Sequence, residues 1–501
     1  MRRKKELEKR KKISKIRYGV FYFLKVGVFL ATMVIGVRAL CQEQEKVFAR
    51  EEEVTLNVMM RYDFVIPEDF ELVAQSADKM IEEKIGIHVN FIPVLPMTQK
   101  KERAIAEKEG TIIDVTSKLA GDFVYRELDD LLPLYGQDIL KIASPKEIEN
   151  TMKNGHLYEL PSKADCAASA GIAFRKDILD EYEIDLKGIQ TVEEIDQIFA
   201  FLNEKEPDLT VTSPLWTQKG FLLRYYFFDS LPNTIFDISP GSGAVRNPFE
   251  TEEYFAWISM FRKWYQLGYL PEELPLQNIK GSEMVKAGKL ISYFCACKPG
   301  IEWEESVSSG QEMVIIPLLE PCITNSSVRI SPWGITQECE HPEEAMKFLN
   351  LLYSDAELVN LLTYGLEGIH YQVLDNGMID FAEGVTADTS GYHPNMGWSF
   401  PNQTLSYIWN GNDPDLWEKT REFQDNAKTA EATGFWFDDT KVSEQNRKLN
   451  EIAKEYTYGL ETGMLDPEIY LPQMLSEMEE AGSQDVKEEI ERQYQKWKDE
   501  K

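Results

Sequence analysis

Apolar and polar positions alternate from Val54 to Met60, which predicts a strand whose carboxyl end is the polar run Arg61-Tyr62-Asp63. The period then changes. After Pro67, the residues Phe70, Val73, Ala77 and Met80 fall on one stripe of a helix that Gly86 stops. A second strand is expected over 87–94, a charged helix over about 97–109, and a third strand over 111–115. A βαβαβ order with right-handed crossovers gives a parallel sheet with helices on both faces. Ligands gather at the carboxyl ends of such strands, so Asp63 and, after the third strand, Thr116 and Ser117 are candidate contacts.

The stretch from Asn154 to Leu179 reads as two strands in tandem. A turn at Asn154-Gly155 opens the first, Pro161 ends its ladder, and a short apolar second strand from Gly171 runs into a charged helix start at Arg175. The small-residue joint between them, Ala167 to Gly171, is expected to flex as a crossing between lobes. Downstream, Thr191 and Glu194 form a capping box ahead of Ile195, Ile198, Phe199 and Leu202. Thr251 caps a helix with Tyr254, Trp257, Ile258, Phe261, Trp264 and Tyr265 inward, and this regular spacing assigns the aromatic stripe to core. Strands are expected at 290–297, 313–318 and 331–335. Helices are expected from Pro342, from about Asp355 to Gly365, from Asp466, and from Ser483 to the end.

Two regions break the periodicity. Trp216 stands among Thr, Ser, Gln and Lys, and Trp333 is flanked by small residues, so each has less reason to be core than the helical aromatics. The stretch from Ala382 to Asn410 is polar and aromatic, with Trp398, Asn402 and Gln403 among its candidate ligand groups. Aromatic faces cover the apolar side of a pyranose, and amides and carboxylates pair with its hydroxyls.

Charge divides the chain. Residues 2–17 form a basic block, an apolar run over 18–37 is interrupted by Lys25, and the whole 501-residue chain carries a formal charge of −31. The pattern is that of an export signal or an uncleaved anchor with its positive end inside, so residues 1–40 are read as a signal or anchor and 41–51 as a linker. Cys41, directly after the apolar run, is a candidate lipidation site. The acidic balance argues against nucleic acid as a partner. Six cysteines are too few for a disulfide scaffold, and Cys295 with Cys297 reads as buried thiols in a strand.

No nucleophile elbow, Walker loop, dinucleotide fingerprint or zinc-protease helix occurs, and the five histidines show no ligand spacing. No catalytic residue, metal or cofactor is therefore expected. Pro240-Gly241-Ser242-Gly243 lacks the Lys-Ser or Lys-Thr of a phosphate loop and reads as a turn.

Four stretches stand out as motifs: Asn154-Gly155-His156-Leu157-Tyr158-Glu159-Leu160-Pro161, Gly365-Leu366-Glu367-Gly368-Ile369-His370-Tyr371, Gly434-Phe435-Trp436-Phe437-Asp438, and the tail from Glu461-Thr462-Gly463 through Asp466-Pro467 to Trp497. With them the chain resembles the extracellular solute-binding lipoproteins of bacterial ABC importers, the LipO/LplA-like group of the family 1 sugar-binding type. Two departures stand out. Arg38-Ala39-Leu40 before Cys41 is not the small-residue pattern of lipoprotein processing, and Pro401-Asn402 stands where the family has Gly-Asn.

The resemblance implies an α/β, two-lobed periplasmic-binding-protein-like fold of type II with a hinge between the lobes. Lobe 1 would comprise 52–168 plus 317–368; lobe 2 would comprise 169–316 plus 369–501 with the C-terminal helices. It implies capture of an oligosaccharide and delivery to ABC permease subunits at the extracytoplasmic face of the membrane. A membrane-anchored sugar sensor and an exported glycosidase are the alternatives. His370 and Tyr371 are expected to fix the fold rather than touch ligand.

Overall fold

The strands, in chain order, are β1 (Thr55–Arg61), β2 (His88–Val94), β3 (Val115–Ser117), β4 (Ala167–Arg175), β5 (Thr210–Ser213), β6 (Asp237–Ile238), β7 (Val245–Arg246), β8 (Leu290–Cys297), β9 (Met313–Pro317), β10 (Cys322–Ile323), β11 (Trp333–Ile335), β12 (Tyr371–Val373), β13 (Ile379–Phe381) and β14 (Lys428–Thr429). The structure, a computed structural model, describes residues 54–62, 65–95, 98–117, 124–153, 155–163, 166–189, 192–214, 229–231, 234–271, 280–325, 327–329, 331–394 and 396–500. Cys41, Asp63, Thr191 and Trp216 lie outside them.

Two main sheets organise the chain. The first has the order β11-β3-β1-β2, with β1 parallel to both β2 and β3 and with β11 antiparallel on the edge. The helix Phe70–Ile85 between β1 and β2 buries Phe70, Val73, Ala77 and Ile81, a stripe at helical spacing, and Gly86 at φ 69° closes it. Met80, expected on that stripe, is half-buried beside it. The third strand starts at Val115 rather than Thr111. The backbone N–H of Asn57 is taken by the Asp114 carboxylate at 2.8 Å and its side-chain amide donates to the Ile112 carbonyl, so beside the one backbone bond from Asp114 N–H to the Asn57 carbonyl the pairing there is made by side chains.

The second sheet runs β14-β10-β4-β8-β5, and β9 lies on the same side of β4 as β10. One face carries the helix Glu252–Gln266, capped by Thr251 Oγ1 accepting from the Tyr254 N–H at 3.2 Å. Its Tyr254, Trp257, Ile258, Phe261 and Trp264 are buried, as the helical spacing predicted for core. The C-terminal helices Ser443–Glu461, Pro467–Glu480 and Ser483–Glu500 join the same core through Leu449, Leu460, Met474, Met478, Val486 and Ile490. The other face packs Val285, Tyr293 and Cys295 with Met313. Cys295 is buried and Cys297 half-buried, and both are free thiols.

Two expectations around the crossing are corrected. The described residues 155–161 form no strand. Lys153 and His156 exchange backbone bonds across a tight turn, Leu157 N–H goes to the Asp129 carboxylate, and Leu160 N–H goes to the Trp333 carbonyl. These donors face different partners, so no ladder forms. The joint Ala167–Gly171 is not a flexible linker but the start of β4, with Ala167 opposite Ile323, Ser169 opposite Cys297, and Gly171 between Cys295 and Pro317. A Cβ at Gly171 would stand 2.5 Å from the Ile316 carbonyl oxygen, so close strand approach accounts for the small residue there.

Residues 391–407, expected with the second lobe, bond to the first-sheet side. Asp69 N–H donates to the Gly391 carbonyl, Asn402 Nδ2 to the Tyr353 carbonyl at 2.8 Å, and Asn360 Oδ1 accepts from Tyr407 N–H at 2.7 Å.

Candidate functional site

Among the described residues, three chain segments lead from one sheet to the other. The first is 160–167, the second 323–333, and the third runs from 399 to β14 at 428. They are tied to one another by hydrogen bonds. Ser162 Oγ donates to the Ser331 carbonyl, Lys163 N–H to the Pro401 carbonyl at 2.6 Å, Gln403 N–H to the Lys163 carbonyl at 3.1 Å, and Cys166 N–H to Gln424 Oε1 at 3.2 Å. Tyr353, from the helix Pro342–Ser354, adds a hydroxyl bond to the Pro161 carbonyl. Multiple short crossings bonded side by side allow two lobes to rotate about a common axis while backbone polar groups stay paired.

The carboxyl ends of β1, β3 and β5 are followed by residues 63–64, 118–123 and 215–228, outside the described residues. Beside them, Tyr62 is buried, its hydroxyl 3.2 Å from that of Tyr392, and burial pushes its pKa to about 12. Ser117 ends β3, 3% exposed, in register with Trp333 on β11.

The structure brings Ser117, Trp333, Trp398, Asn402 and Gln403 to this crossing region. Their environments differ. Trp333 is 2% exposed and its indole N–H donates to the Ser399 carbonyl at 2.9 Å, so the expectation of a sugar platform is corrected: the ring is packed and positions the turn Gly397–Ser399. Asn402 is likewise committed, with Nδ2 on the Tyr353 carbonyl and Oδ1 accepting from Thr404 Oγ1 at 2.6 Å. Trp398 is half-buried. Gln403 is 9% exposed, and its buried Oε1 has no hydrogen-bond partner among the described residues. A buried amide oxygen left unpaired costs about 1–3 kcal/mol, which a ligand hydroxyl would recover.

The lack of period over 382–410 hides a second feature, an aromatic cluster around half-buried Trp409. Phe381, His393 and Tyr364 centre 4.8, 5.4 and 5.6 Å from it. Trp303, from the helix Ile301–Ser309 on the second sheet, stacks on Trp409 at 6.2 Å and 20° and donates its indole N–H to the Asn410 carbonyl at 3.1 Å. Burial holds the His393 imidazole below its ordinary pKa and so neutral. Lys286, which ends the helix Gly281–Lys286, meets Asp388 at 3.2 Å. Single-sequence periodicity had no means of pairing Trp303 with Trp409, about a hundred positions apart.

His370 holds the loop after the helix Ala356–Tyr364, as expected of a fold-fixing residue. Its Nδ1 accepts from Leu366 N–H at 2.8 Å and Nε2 lies 3.1 Å from Asp69 Oδ2. Glu127 Oε1 and Asp129 Oδ2 stand 3.0 and 3.3 Å from Nδ1 of the exposed His156, a surface cluster of the kind that is common without a metal ion. No helix among the described residues is long and apolar enough to cross a membrane.

This arrangement defines a class of fold: the two-lobed α/β fold of the periplasmic-binding-protein type, its lobes joined by several crossings. The chain is similar to the N-glycan transport solute binding protein (NgtS) of Streptococcus pneumoniae, with a TM-score of 0.76 and 21% identity over 90% of this chain and 100% of that one. The structure of NgtS in complex with Man5GlcNAc gives a TM-score of 0.72 at 21% identity, covering 90% and 99%. In sequence, a protein of S. pneumoniae serotype 4 described as a carbohydrate ABC transporter substrate-binding protein is 23% identical over 456 residues, 85% of this chain and 88% of the relative. A family model described as a domain of unknown function (DUF3502) matches residues 431–499.

Proposed function

We propose that this chain is an extracytoplasmic solute-binding protein that captures an oligosaccharide between its lobes and delivers it to the permease subunits of an ABC importer. The observation that carries this reading is the set of three mutually bonded crossings between two α/β sheets, in a fold that matches a glycan-transport binding protein over 90% of the chain. Lobe 1 is placed at about 52–165 with 331–412, and lobe 2 at about 166–330 with 413–501. The first-sheet bonding of 391–407 supports moving the boundary from 369.

Closure traps the ligand and strips its water, which strengthens each hydrogen bond within the cleft. Trp398, with its half-buried ring, and Gln403, with its unpaired Oε1, are the described groups best suited to contact sugar. Ser117, the last residue of β3, is a further candidate, as by sequence alone are Asp63 and Trp216, which lie outside the described residues. Binding needs no covalent step, and the protein is read as carrying out no chemistry of its own.

The chain is held at the extracytoplasmic face of the membrane through residues 1–40 or through a lipid on Cys41, or is secreted after cleavage at Ala39. Mass spectrometry of the mature protein separates these: an intact N-terminus means an anchor, a modified Cys41 at the new terminus means a lipid, and an unmodified terminus after Ala39 means secretion. A thermal-shift screen tests the ligand class. Stabilisation by one or more oligosaccharides is expected, whereas stabilisation by peptides or amino acids alone would overturn it.

A further inference from the structure

Residues 431–499 match a family model without a function, and three helices account for most of them. Those helices complete the core of the second lobe. The segment leading into them, 430–438, does something different. Ala430 N–H donates to the Ile323 carbonyl at 2.8 Å, and Thr433 Oγ1 to the same carbonyl at 3.4 Å. Asn325 Nδ2 donates to the Phe435 carbonyl. Ile323 and Asn325 begin the second crossing. Ala432 N–H donates to Asp229 Oδ2 at 2.6 Å, just after the segment that follows β5.

The far side of the same segment is gripped by the last helix. The Phe435 ring meets Tyr494 at 5.2 Å and Trp497 at 5.7 Å. From that fixed base the chain reaches toward lobe 1. Lys153 Nζ stands 4.8 Å over the Trp436 ring, and Gly434, at φ 93°, comes so near the helix Pro145–Thr151 that a Cβ there would meet Asn150 Oδ1 at 3.5 Å. That helix also packs on the turn Ser327–Arg329 of the second crossing. One short segment thus touches a crossing, the body of lobe 2 and a helix carried by lobe 1.

We infer that residues 430–438 are a hinge clamp, and that the region of unknown function holds this clamp so as to set the resting orientation of the two lobes, with Trp436 and Lys153 as its positioning residues. The inference rests on the two-lobed reading above. Contacts within 430–438 and to Ile323 move with the hinge base. The Trp436–Lys153 contact instead spans bodies that rotate apart, so its strength biases one orientation over the other. A half-exposed cation–π pair changes the ratio of two states by about two- to fivefold, a small bias suited to a protein that must both open and close.

The test needs no ligand. Spin labels are placed on the full chain through Glu83→Cys in lobe 1 and Glu204→Cys in lobe 2, both well exposed, and the interlobe distance distribution is measured by pulsed electron resonance. Lys153→Met, which keeps the aliphatic stem of an exposed residue, is expected to shift populations away from the parent distance by roughly two- to fivefold with an unchanged Tm. Trp436→Ala is expected to shift them in the same direction. Identical distributions in parent and Lys153→Met would overturn the clamp, whatever happens to the folding of Trp436→Ala. A shift in a protein that binds no oligosaccharide would leave the clamp standing and remove the proposed transport role instead.

Discussion

The indole N–H of Trp333 donates to the carbonyl of Ser399 at 2.9 Å, and Ser331 Oγ donates to the same oxygen at 2.8 Å. The second and third crossings are therefore joined through one carbonyl. Trp333→Ala should cost about 3–5 kcal/mol by opening a cavity in the core, and Trp333→Phe much less because Ser331 still serves the carbonyl. Thermal or urea unfolding of both variants checks the order. A Trp333→Ala protein as stable as the parent would mean that the ring faces the cleft after all.

The β4 assignment changes what proline does near the hinge. Proline at Ala168 or Ser169 sets a ring without an N–H into β4 where it pairs with β10 and then β8, and an orphaned ladder partner costs on the order of 1–3 kcal/mol. Such variants should lose folded protein by circular dichroism rather than keep the fold and lose affinity. Gly171→Ala should be destabilised as well, by about 1–3 kcal/mol, because its Cβ meets the Ile316 carbonyl.

Asp229 supplies a pH signature. Burial raises its pKa to about 7, helped by Asp237 and Glu431 and opposed by the N–H groups of Ala432 and Asn325; Cys322 and Tyr494 also face it. The folded state thus holds this proton more tightly than the unfolded chain. The stabilisation is complete below the unfolded carboxylate pKa of about 3.9 and is lost as pH rises to about 7. The stability advantage of the parent over Asp229→Asn should be largest near the acid end and shrink toward neutrality, read from urea midpoints across that range. A constant difference would contradict the buried, protonated carboxyl.

Trp303 and Trp409 should couple. Single alanine substitutions and their combination, compared by unfolding free energy, are expected to give an interaction term of about 0.5–1.5 kcal/mol for the stacked pair. Additive effects would mean that the rings share no energetic contact in solution.

Much of the architecture was legible because it is local. The helical stripe Phe70-Val73-Ala77, the Thr251 cap, the buried aromatic face of Glu252–Gln266 and the Asp466-Pro467 start all follow from spacing and cap chemistry. The crossing was harder to read. Small residues at 167–171 fit both a flexible joint and a tightly paired strand, and only the position of Ile316 decides between them. Trp333 likewise stands among small residues because neighbouring chains approach it: a Cβ at Gly334 would sit 2.5 Å from the Tyr125 ring. Pairings such as Trp303 with Trp409, or Trp436 with Lys153, join distant segments and leave no periodic trace in a single sequence.

Capture of sugar between moving lobes is tested most directly by the interlobe distance between labels at positions 83 and 204, recorded while a panel of oligosaccharides, including mannose-rich glycans, is titrated in. The account predicts a saturable shift to a narrower distribution with at least one oligosaccharide. A distribution that no oligosaccharide alters, but that peptides or amino acids do, would contradict it.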